Sequence, residues 1–351
     1  MTYKISVVLP IYNSEKTLSL CLESLKNQSL APHEILAIDN NSNDQSSVLL
    51  KEFIKNNPSC PLRMLLEPKQ GPSSARNLGL REAQYEIVAF LDSDCVAPEN
   101  WLASLDAFFL SHPSVDAVGG ILNSYQSNSL VDWYWHVERK SYRSVQNIWI
   151  DFPEQILFQN SFWVPCNSAL RRKSFTDFYF DPKFSHAEDI DFTLRSLKAK
   201  KTVVANCTSI SMFHQERKSI KNLALQIFHY RMGYCQMLRK HFSNQIINEW
   251  PIFPPISFPI TVVLRKSSWM ILMGLFFSIG VLCLKGLGTF FLFSGVLFVL
   301  KFFRDLFHYR SQIPTLRLSF WMQLALLRTV IQALSALSKI RGAIQHGIVY
   351  F

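Results

Sequence analysis

What this 351-residue chain lacks narrows its class first. Acidic residues nearly vanish after residue 216: residues 217–351 hold 16 Lys/Arg against 2 Asp/Glu, whereas residues 1–216 hold 20 against 24. The formal charge of +10 therefore comes entirely from the C-terminal part, which is also the most apolar. Basic, aromatic and apolar residues together point to an anionic membrane surface, because nucleic-acid binders carry their basic clusters on polar domains. Cysteine is sparse and unpatterned. Cys21, Cys60, Cys95, Cys166, Cys207, Cys235 and Cys283 are odd in number and show no Cys-x-x-Cys spacing. That argues against zinc and against a disulfide framework, and favours a reducing compartment. No long apolar stretch with a small-residue cleavage site follows Met1-Thr2-Tyr3-Lys4, so no secretory signal is expected. No glycine-rich phosphate loop with a basic residue opens the chain, which disfavours nucleotidyl transfer.

What is present in the first part is strand–helix alternation. Ile5 to Pro10 reads as a buried strand, and Glu15 to Gln28 as a helix with Leu18, Cys21, Leu22 and Leu25 on one face. Glu34 to Ile38 is a second strand ending at Asp39, and Ser46 to Lys55 a second helix. Met64 to Leu66 is a third short strand, Ser73 to Ala83 a third helix, and Glu86 to Leu91 a strand ending at Asp92. This order predicts an α/β fold: a mostly parallel, Rossmann-like sheet with helices on both faces. Residues 184–200 are expected to form a helix carrying Glu188, Asp189 and Asp191. Between them, residues 121–165 are irregular and aromatic (Trp133, Tyr134, Trp135, Trp149, Phe158, Phe162, Trp163), suited either to core packing or to an acceptor groove.

Asp92-Ser93-Asp94 lies just past the carboxyl end of a buried strand, where ligands collect in open α/β sheets. Two carboxylates one residue apart suit a hard divalent cation, Mg²⁺ or Mn²⁺, which could in turn hold a diphosphate. Asp-x-Asp also occurs in ordinary turns, so the triplet alone does not decide.

Several segments carry a resemblance. They are Val7-Val8-Leu9-Pro10-Ile11-Tyr12-Asn13 with Glu15, Ile38-Asp39-Asn40-Asn41-Ser42-Asn43-Asp44, Gly71 to Gly79, Asp92-Ser93-Asp94, Glu188-Asp189-Ile190-Asp191, and Phe213-His214. In this order they resemble the family 2 glycosyltransferases of the GT-A fold, over roughly residues 4–245. The C-terminal region is similar to that of bacterial exopolysaccharide glycosyltransferases of the succinoglycan-pathway type.

The resemblance implies an inverting, metal-dependent transfer from a nucleotide-diphosphate sugar, expected to be UDP-linked. Pro10, Tyr12, Glu15, Asp39, Arg76, Asp92 and Ser93 would contact the donor nucleotide. Asp39 would accept the uracil N–H, and Arg76 would bridge nucleotide and phosphate oxygens through its fork. Asp94, Asp92 and His214 would hold Mg²⁺ or Mn²⁺. Asp189 would be the general base, with Glu188 orienting the acceptor or the base; Asp191, further round the helix at about 100° per residue, is expected to support the site residues or to be structural. The family usually shows Asp-Asp-Gly-Ser where this chain has Asp39-Asn40-Asn41-Ser42, so the second acid and the glycine are missing. Two other readings stand beside this one: a polyprenyl-phosphate sugar synthase, and a non-catalytic membrane scaffold retaining the fold.

The expected organisation is a catalytic domain over 1–216, a basic amphipathic interfacial helix and hinge over 217–250, and membrane-associated helices over 251–351. Ile220, Leu223, Ile227, Tyr230, Tyr234 and Met237 share a stripe, and no acid falls between Arg217 and Phe242. A helical hairpin is expected over about 262–303, with cations at both outer ends keeping them cytoplasmic, a re-entrant or in-plane arrangement being the alternative. A further amphipathic helix is expected over about 315–340. These features place the catalytic domain in the cytoplasm, on the inner face of the cell membrane. The expected partners are a nucleotide-diphosphate sugar, a lipid-linked saccharide or polysaccharide acceptor and an anionic membrane, with no nucleic acid.

Overall fold

The computed structural model describes residues 2–126, 128–143, 148–150, 165–200, 202–216, 219–242, 246–248, 261–264, 299, 302–307, 310–311, 317–346 and 348–350. They divide into two compact units. The first comprises residues 1–127 and 138–216; the second comprises 128–137 and 217–351.

The first unit is built on a nine-stranded sheet. Its elements are β1 (Ile5–Ile11), α1 (Leu18–Lys26), β2 (Glu34–Asp39), α2 (Ser46–Asn56), β3 (Leu62–Leu66), α3 (Pro72–Glu82) and β4 (Ile87–Leu91). After these come β5 (Cys95–Val96), α4 (Trp101–Ser111), β6 (Ala117–Ser124), α5 (Leu130–Arg143) and β7 (Ile148–Ile150). The last are β8 (Asn167–Arg171), α6 (Glu188–Lys200) and β9 (Val204–His214). The strand order is β3-β2-β1-β4-β8-β6-β9-β5, with β7 also paired to β9. Helix α5 gives residues 130–137 to the second unit and the rest to the first.

The four strands β3-β2-β1-β4 are parallel, as the strand–helix alternation requires. β1, β2 and β4 are almost continuously buried, completely so in β2 and β4, which reflects helices on both faces, while the edge strand β3 is partly exposed throughout. One face packs Val7, Leu9, Ala37 and Ala89 with Leu18, Leu22, Leu25, Trp101 and Leu105 of α1 and α4. On the other face α3 lies close to the sheet. A Cβ on Gly79 would collide with both methyls of Val8 and stand 3.0 Å from Ile38 Cδ1, so glycine sets that approach.

Beyond β4 the sheet changes character. β8 is antiparallel to both β4 and β6, β9 is parallel to β6, and β5 and β7 run antiparallel to β9. The sheet is therefore a mixed, open α/β sheet of the GT-A type, parallel in its first half. Helices α4, α5 and α6 still precede β6, β8 and β9 in sequence, but β8 enters the sheet antiparallel between β4 and β6, so the parallel order ends there.

The second unit pairs α7 (Ile220–His241) with α8 (Leu318–His346). Leu223 and Ile227 of α7, Trp321, Leu324, Ala325, Leu327 and Ile331 of α8, and Val131, Tyr134 and Val137 of α5 form its core. Half of the apolar stripe expected to face a membrane is thus covered by protein, while Ile220 and Tyr230 remain exposed. Three short parallel strands complete the unit: β10 (Ile246–Asn248), β11 (Thr261–Leu264) and β12 (Ile348–Tyr350). Val262–Leu264, expected to open the helical hairpin, lie instead in β11, where β-branched Thr261, Val262 and Val263 suit a strand. Residues 265–298, most of the expected 262–303 hairpin, lie outside the described residues, as do Phe158, Phe162 and Trp163 of the aromatic segment. Tyr134 is buried in the second unit's core, with Trp133 and Trp135 packed against it.

Candidate active site

Four strand ends, of β1, β2, β4 and β9, and the first turns of α3 and α6 assemble the site. At the end of β1, Pro10 is partly exposed and Tyr12 half-exposed. The following loop is laced to the loop after β2. Asn43 N donates to Asn13 Oδ1 at 2.9 Å, Glu15 N to Asp44 Oδ2 at 3.0 Å, and Gln45 N to Glu15 Oε2 at 3.2 Å. Glu15 therefore holds the loop after β2 as well as lying at the strand end.

Asp39 is buried at the end of β2, and its Oδ1 accepts the Ser42 N–H at 3.0 Å. The departures from the family pattern have a structural reason here. Asn40 Nδ2 donates to the carbonyls of Glu67 and Lys69, both at 2.8 Å, and its Oδ1 accepts from Gly71 N at 2.7 Å. An aspartate could not make those two donations. Asn41, standing where the family has glycine, has φ +60°, a left-handed conformation that asparagine tolerates better than other residues with a side chain.

The Gly71–Gly79 segment is the start of α3, and four of its residues have separate tasks. Pro72 opens the helix, where its missing N–H costs nothing. Asn77 clamps Phe180, donating to its carbonyl and accepting its N–H, both at 2.8 Å. Gly79 permits the close approach to β1. Arg76 is buried and divides its fork: Nη1 donates to Glu188 Oε1 at 2.7 Å and Nη2 to Asp92 Oδ1 at 2.9 Å. Each terminal nitrogen gives one bond to a protein carboxylate, and the buried Nε–H has no protein partner among the described residues, so the fork keeps N–H groups beyond those two bonds. Those carboxylates raise its pKa further against the opposing effect of burial, so it stays charged.

Asp92 follows β4 directly. Ser93 Oγ lies 2.6 Å from Ser14 Oγ, joining the β4 and β1 ends. Asp94 stands beside His214 because β5 pairs antiparallel with the end of β9, setting Cys95 opposite His214. Gln215 N donates to the Asp94 carbonyl at 2.8 Å, and Tyr125 N to the His214 carbonyl at 2.9 Å. His214 Nε2 lies 3.4 Å from Asp94 Oδ2, and its Nδ1 lies 3.3 Å from Glu216 Oε2. Burial alone would lower the imidazole pKa, but Asp94 and Glu216 outweigh it and the net shift is upward. Glu216 is held below its ordinary range, against burial, by His214 and Arg139.

These donors fit a divalent cation. One ligand atom each from Asp94, Cys95 and His214 falls within 4.8 Å of the others. Carboxylate oxygen with imidazole nitrogen suits Mn²⁺ or Mg²⁺ completed by phosphate oxygens. Cys95 is fully buried, and burial, then Cys166, pushes its thiol well above the ordinary value, so it offers no thiolate.

Glu188 and Asp189 open α6, where the helix dipole favours acids. Ala187, just before them, has φ +62°, a costly conformation for a residue with a Cβ. Asp189 Oδ1 accepts its neighbour Ile190 N at 2.8 Å. Burial first, and then Glu188, pushes the Asp189 carboxyl up to about 7. Asp191 is fully buried and accepts from Arg195 Nε at 2.8 Å, a structural ion pair. Sequence reasoning missed Asn40, Asn77, Arg139 and Glu216. Only Asn77, inside the Gly71–Gly79 segment, carried a local signal.

The mixed open sheet, parallel in its first half and with acids at its strand ends, defines an α/β fold of the GT-A type. Residues 6–179, about half of the chain, match the family described as Glycosyl transferase family 2. The chain belongs to the family 2 glycosyltransferases. It is 33% identical over 119 residues to glycosyltransferase AglE of Haloferax volcanii, covering 33% of this chain but only 38% of that relative's length. A Methanococcus voltae enzyme is 22% identical over 246 residues, covering 68% of this chain and 75% of its own. Its name is dolichyl N-acetyl-alpha-D-glucosaminyl phosphate 3-beta-D-2,3-diacetamido-2,3-dideoxy-beta-D-glucuronosyltransferase. Among solved structures, a mannosyltransferase from Pyrobaculum calidifontis in complex with GDP-Man and Mn2+ shares the fold. Its TM-score is 0.58 at 15% identity, over 97% of this chain and 88% of that one.

Proposed function

We propose that this protein is an inverting glycosyltransferase that moves a sugar from a nucleotide-diphosphate donor, UDP-linked, to a hydroxyl of a lipid-linked saccharide or surface polysaccharide. The observation that carries this reading is the Arg76 fork. It ties Asp92, two residues before Asp94 in the chain, to Glu188, adjacent to a carboxyl pushed up to about 7. A base must be ionised near neutral pH yet basic enough to take a proton, and a value near the working pH meets both demands.

In a single displacement the acceptor oxygen bonds to the sugar C1 as the C1–O bond to the diphosphate breaks. The acceptor proton passes to Asp189, and the electron pair leaves with the diphosphate. Asp94 and His214, with Asp92 beside them, would hold Mg²⁺ or Mn²⁺, which neutralises charge on the departing diphosphate as a Lewis acid. Asp39, at the end of β2, accepts the base N–H, and Tyr12 and Pro10 border the nucleotide. Arg76 holds Asp92 and Glu188 in place and bridges nucleotide and phosphate oxygens with the N–H groups those acids do not take.

The acceptor class is supported by the Methanococcus voltae relative, whose name places a dolichyl-linked sugar phosphate as its substrate. The basic balance after residue 216, together with a helix at Leu318–His346 long and apolar enough to cross a membrane, supports a site on the cytoplasmic membrane face. A thermal-shift panel of nucleotide-diphosphate sugars with Mn²⁺ tests the donor, because a ligand binding only the folded state raises apparent stability. UDP-sugars should raise the Tm in a metal-dependent way. A shift with GDP- or TDP-sugars alone would overturn the UDP assignment.

A further inference from the structure

The metal-site reading leaves one buried acid without a task. Glu216 is two residues past His214, and its side chain is only 3% exposed. A carboxylate so far from water is costly unless its oxygens are met by charge or hydrogen bonds. Both oxygens are met, by different groups. Oε1 accepts from Arg139 Nη1, and Oε2 lies 3.3 Å from the buried His214 Nδ1, at ion-pair distance, facing a nitrogen that has no other partner among the described residues. Arg139 sits near the end of α5, in the same unit, and its side chain is 12% exposed.

The backbone on either side of His214 is already fixed. Its strand pairs with β5, its carbonyl accepts from Tyr125, and the next N–H donates to Asp94. What the backbone does not fix is the ring. An imidazole can turn about its last torsion and can carry its proton on either nitrogen. A carboxylate on one nitrogen removes both freedoms, because it retains the N–H there and leaves the opposite nitrogen as the electron-pair donor.

We propose that Glu216 is a positioning residue for the cation site, fixing His214 so that Nε2 faces Asp94, and that Arg139 in turn fixes Glu216. The chain Arg139–Glu216–His214–Asp94 then runs from α5 to the strand-end acids. This rests on the reading of Asp94 and His214 as metal ligands, so the test separates the two.

The experiment is titration of the metal-free full chain, in mild detergent and without donor, with Mn²⁺ followed by electron paramagnetic resonance. The bound ion's spin-echo spectrum reports imidazole nitrogen coordination. The wild type should bind Mn²⁺ with nitrogen modulation, and Asp94→Asn should lose binding. Glu216→Gln should weaken Mn²⁺ binding about 10–100-fold, the usual loss when a ligand's outer partner is removed, and should diminish the nitrogen signal. Arg139→Met should weaken binding, and Arg139→Lys should restore most of it. If Glu216→Gln does not fold, Arg139→Met decides by the same criterion. Wild-type affinity and nitrogen modulation in the variants, with Asp94→Asn still defective, would overturn the positioning role and leave the metal reading standing. A wild type that binds no Mn²⁺ would remove both.

Discussion

Arg76 and Glu188 stand 112 residues apart in sequence and are joined by a 2.7 Å hydrogen bond from Nη1 to Oε1. The other arm of the same guanidinium holds Asp92 at 2.9 Å. One buried cation thus fixes the strand-end acid and the acid next to the proposed base. Replacing Arg76 by Gln leaves two carboxylates facing each other across a low-dielectric gap. Unfolding in urea should show a loss of about 3 kcal/mol, the lower end for breaking a buried pair because Asp92 is partly solvated. Arg76→Lys should recover little, because an ammonium cannot reproduce a fork reaching two partners.

The raised pKa of Asp189 makes a stability prediction with a definite sign. The folded carboxyl titrates near 7 and the unfolded one near 3.8, so between those values only the folded state keeps the proton. Stability from this group is present at low pH and is lost as pH rises through about 7. Asp189→Asn has no proton to lose. Its Tm should exceed the wild type's at pH 8, and the two should converge towards pH 4. A variant less stable than wild type at pH 8 would contradict the assignment. Transfer by the wild type should rise to a plateau above about pH 7, as the base loses its proton.

Gly79 is a packing requirement, so its substitution tests the fold independently of chemistry. Gly79→Ala places a methyl against Val8 and should destabilise by about 1–3 kcal/mol, the usual cost of overpacking. The double variant Gly79→Ala/Val8→Ala should recover part of that loss. No recovery would show that the strain lies elsewhere.

Helix α8 carries an exposed apolar stripe of Met322, Leu326, Val330 and Leu337, opposite the face packed on α7. One covered face and one apolar exposed face suit a helix lying in a membrane interface. Leu326→Glu/Val330→Glu should lower flotation with vesicles containing anionic lipid. Unchanged flotation would assign the attachment to other segments. Release of the wild type by salt alone would assign it to electrostatics.

The sequence was readable where chemistry follows local pattern. The parallel strands β1 to β4 announce themselves as apolar runs ended by Asp39 and Asp92, with helical spacing between them. The other half of the sheet was not readable, because β8 inserts antiparallel between β4 and β6 and its partners lie far away in sequence, so strand–helix alternation does not reveal the pairing. The same limit applies within the site. Asp92, Asp94, Glu188 and Asp189 are visible as acid clusters, but the partners of Arg76 are distant in sequence. Glu216, flanked by Gln215 and Arg217, looks like any surface acid, and only the pairing of β5 with β9 and the reach of Arg139 make it part of the site. Asn40 and Asn41 read as departures from a family pattern until their hydrogen bonds and the backbone angle of Asn41 gave each a reason.

The most direct test of the account is to compare sugar transfer and nucleotide binding in Asp189→Asn and wild type, at neutral pH with Mn²⁺. The account predicts that transfer to a hydroxyl acceptor falls by about 10²–10⁴-fold, the range a general base contributes, while UDP affinity stays within about twofold. Transfer retained in Asp189→Asn would contradict it, because an acceptor that needs no base, such as a lipid phosphate, would then be the substrate.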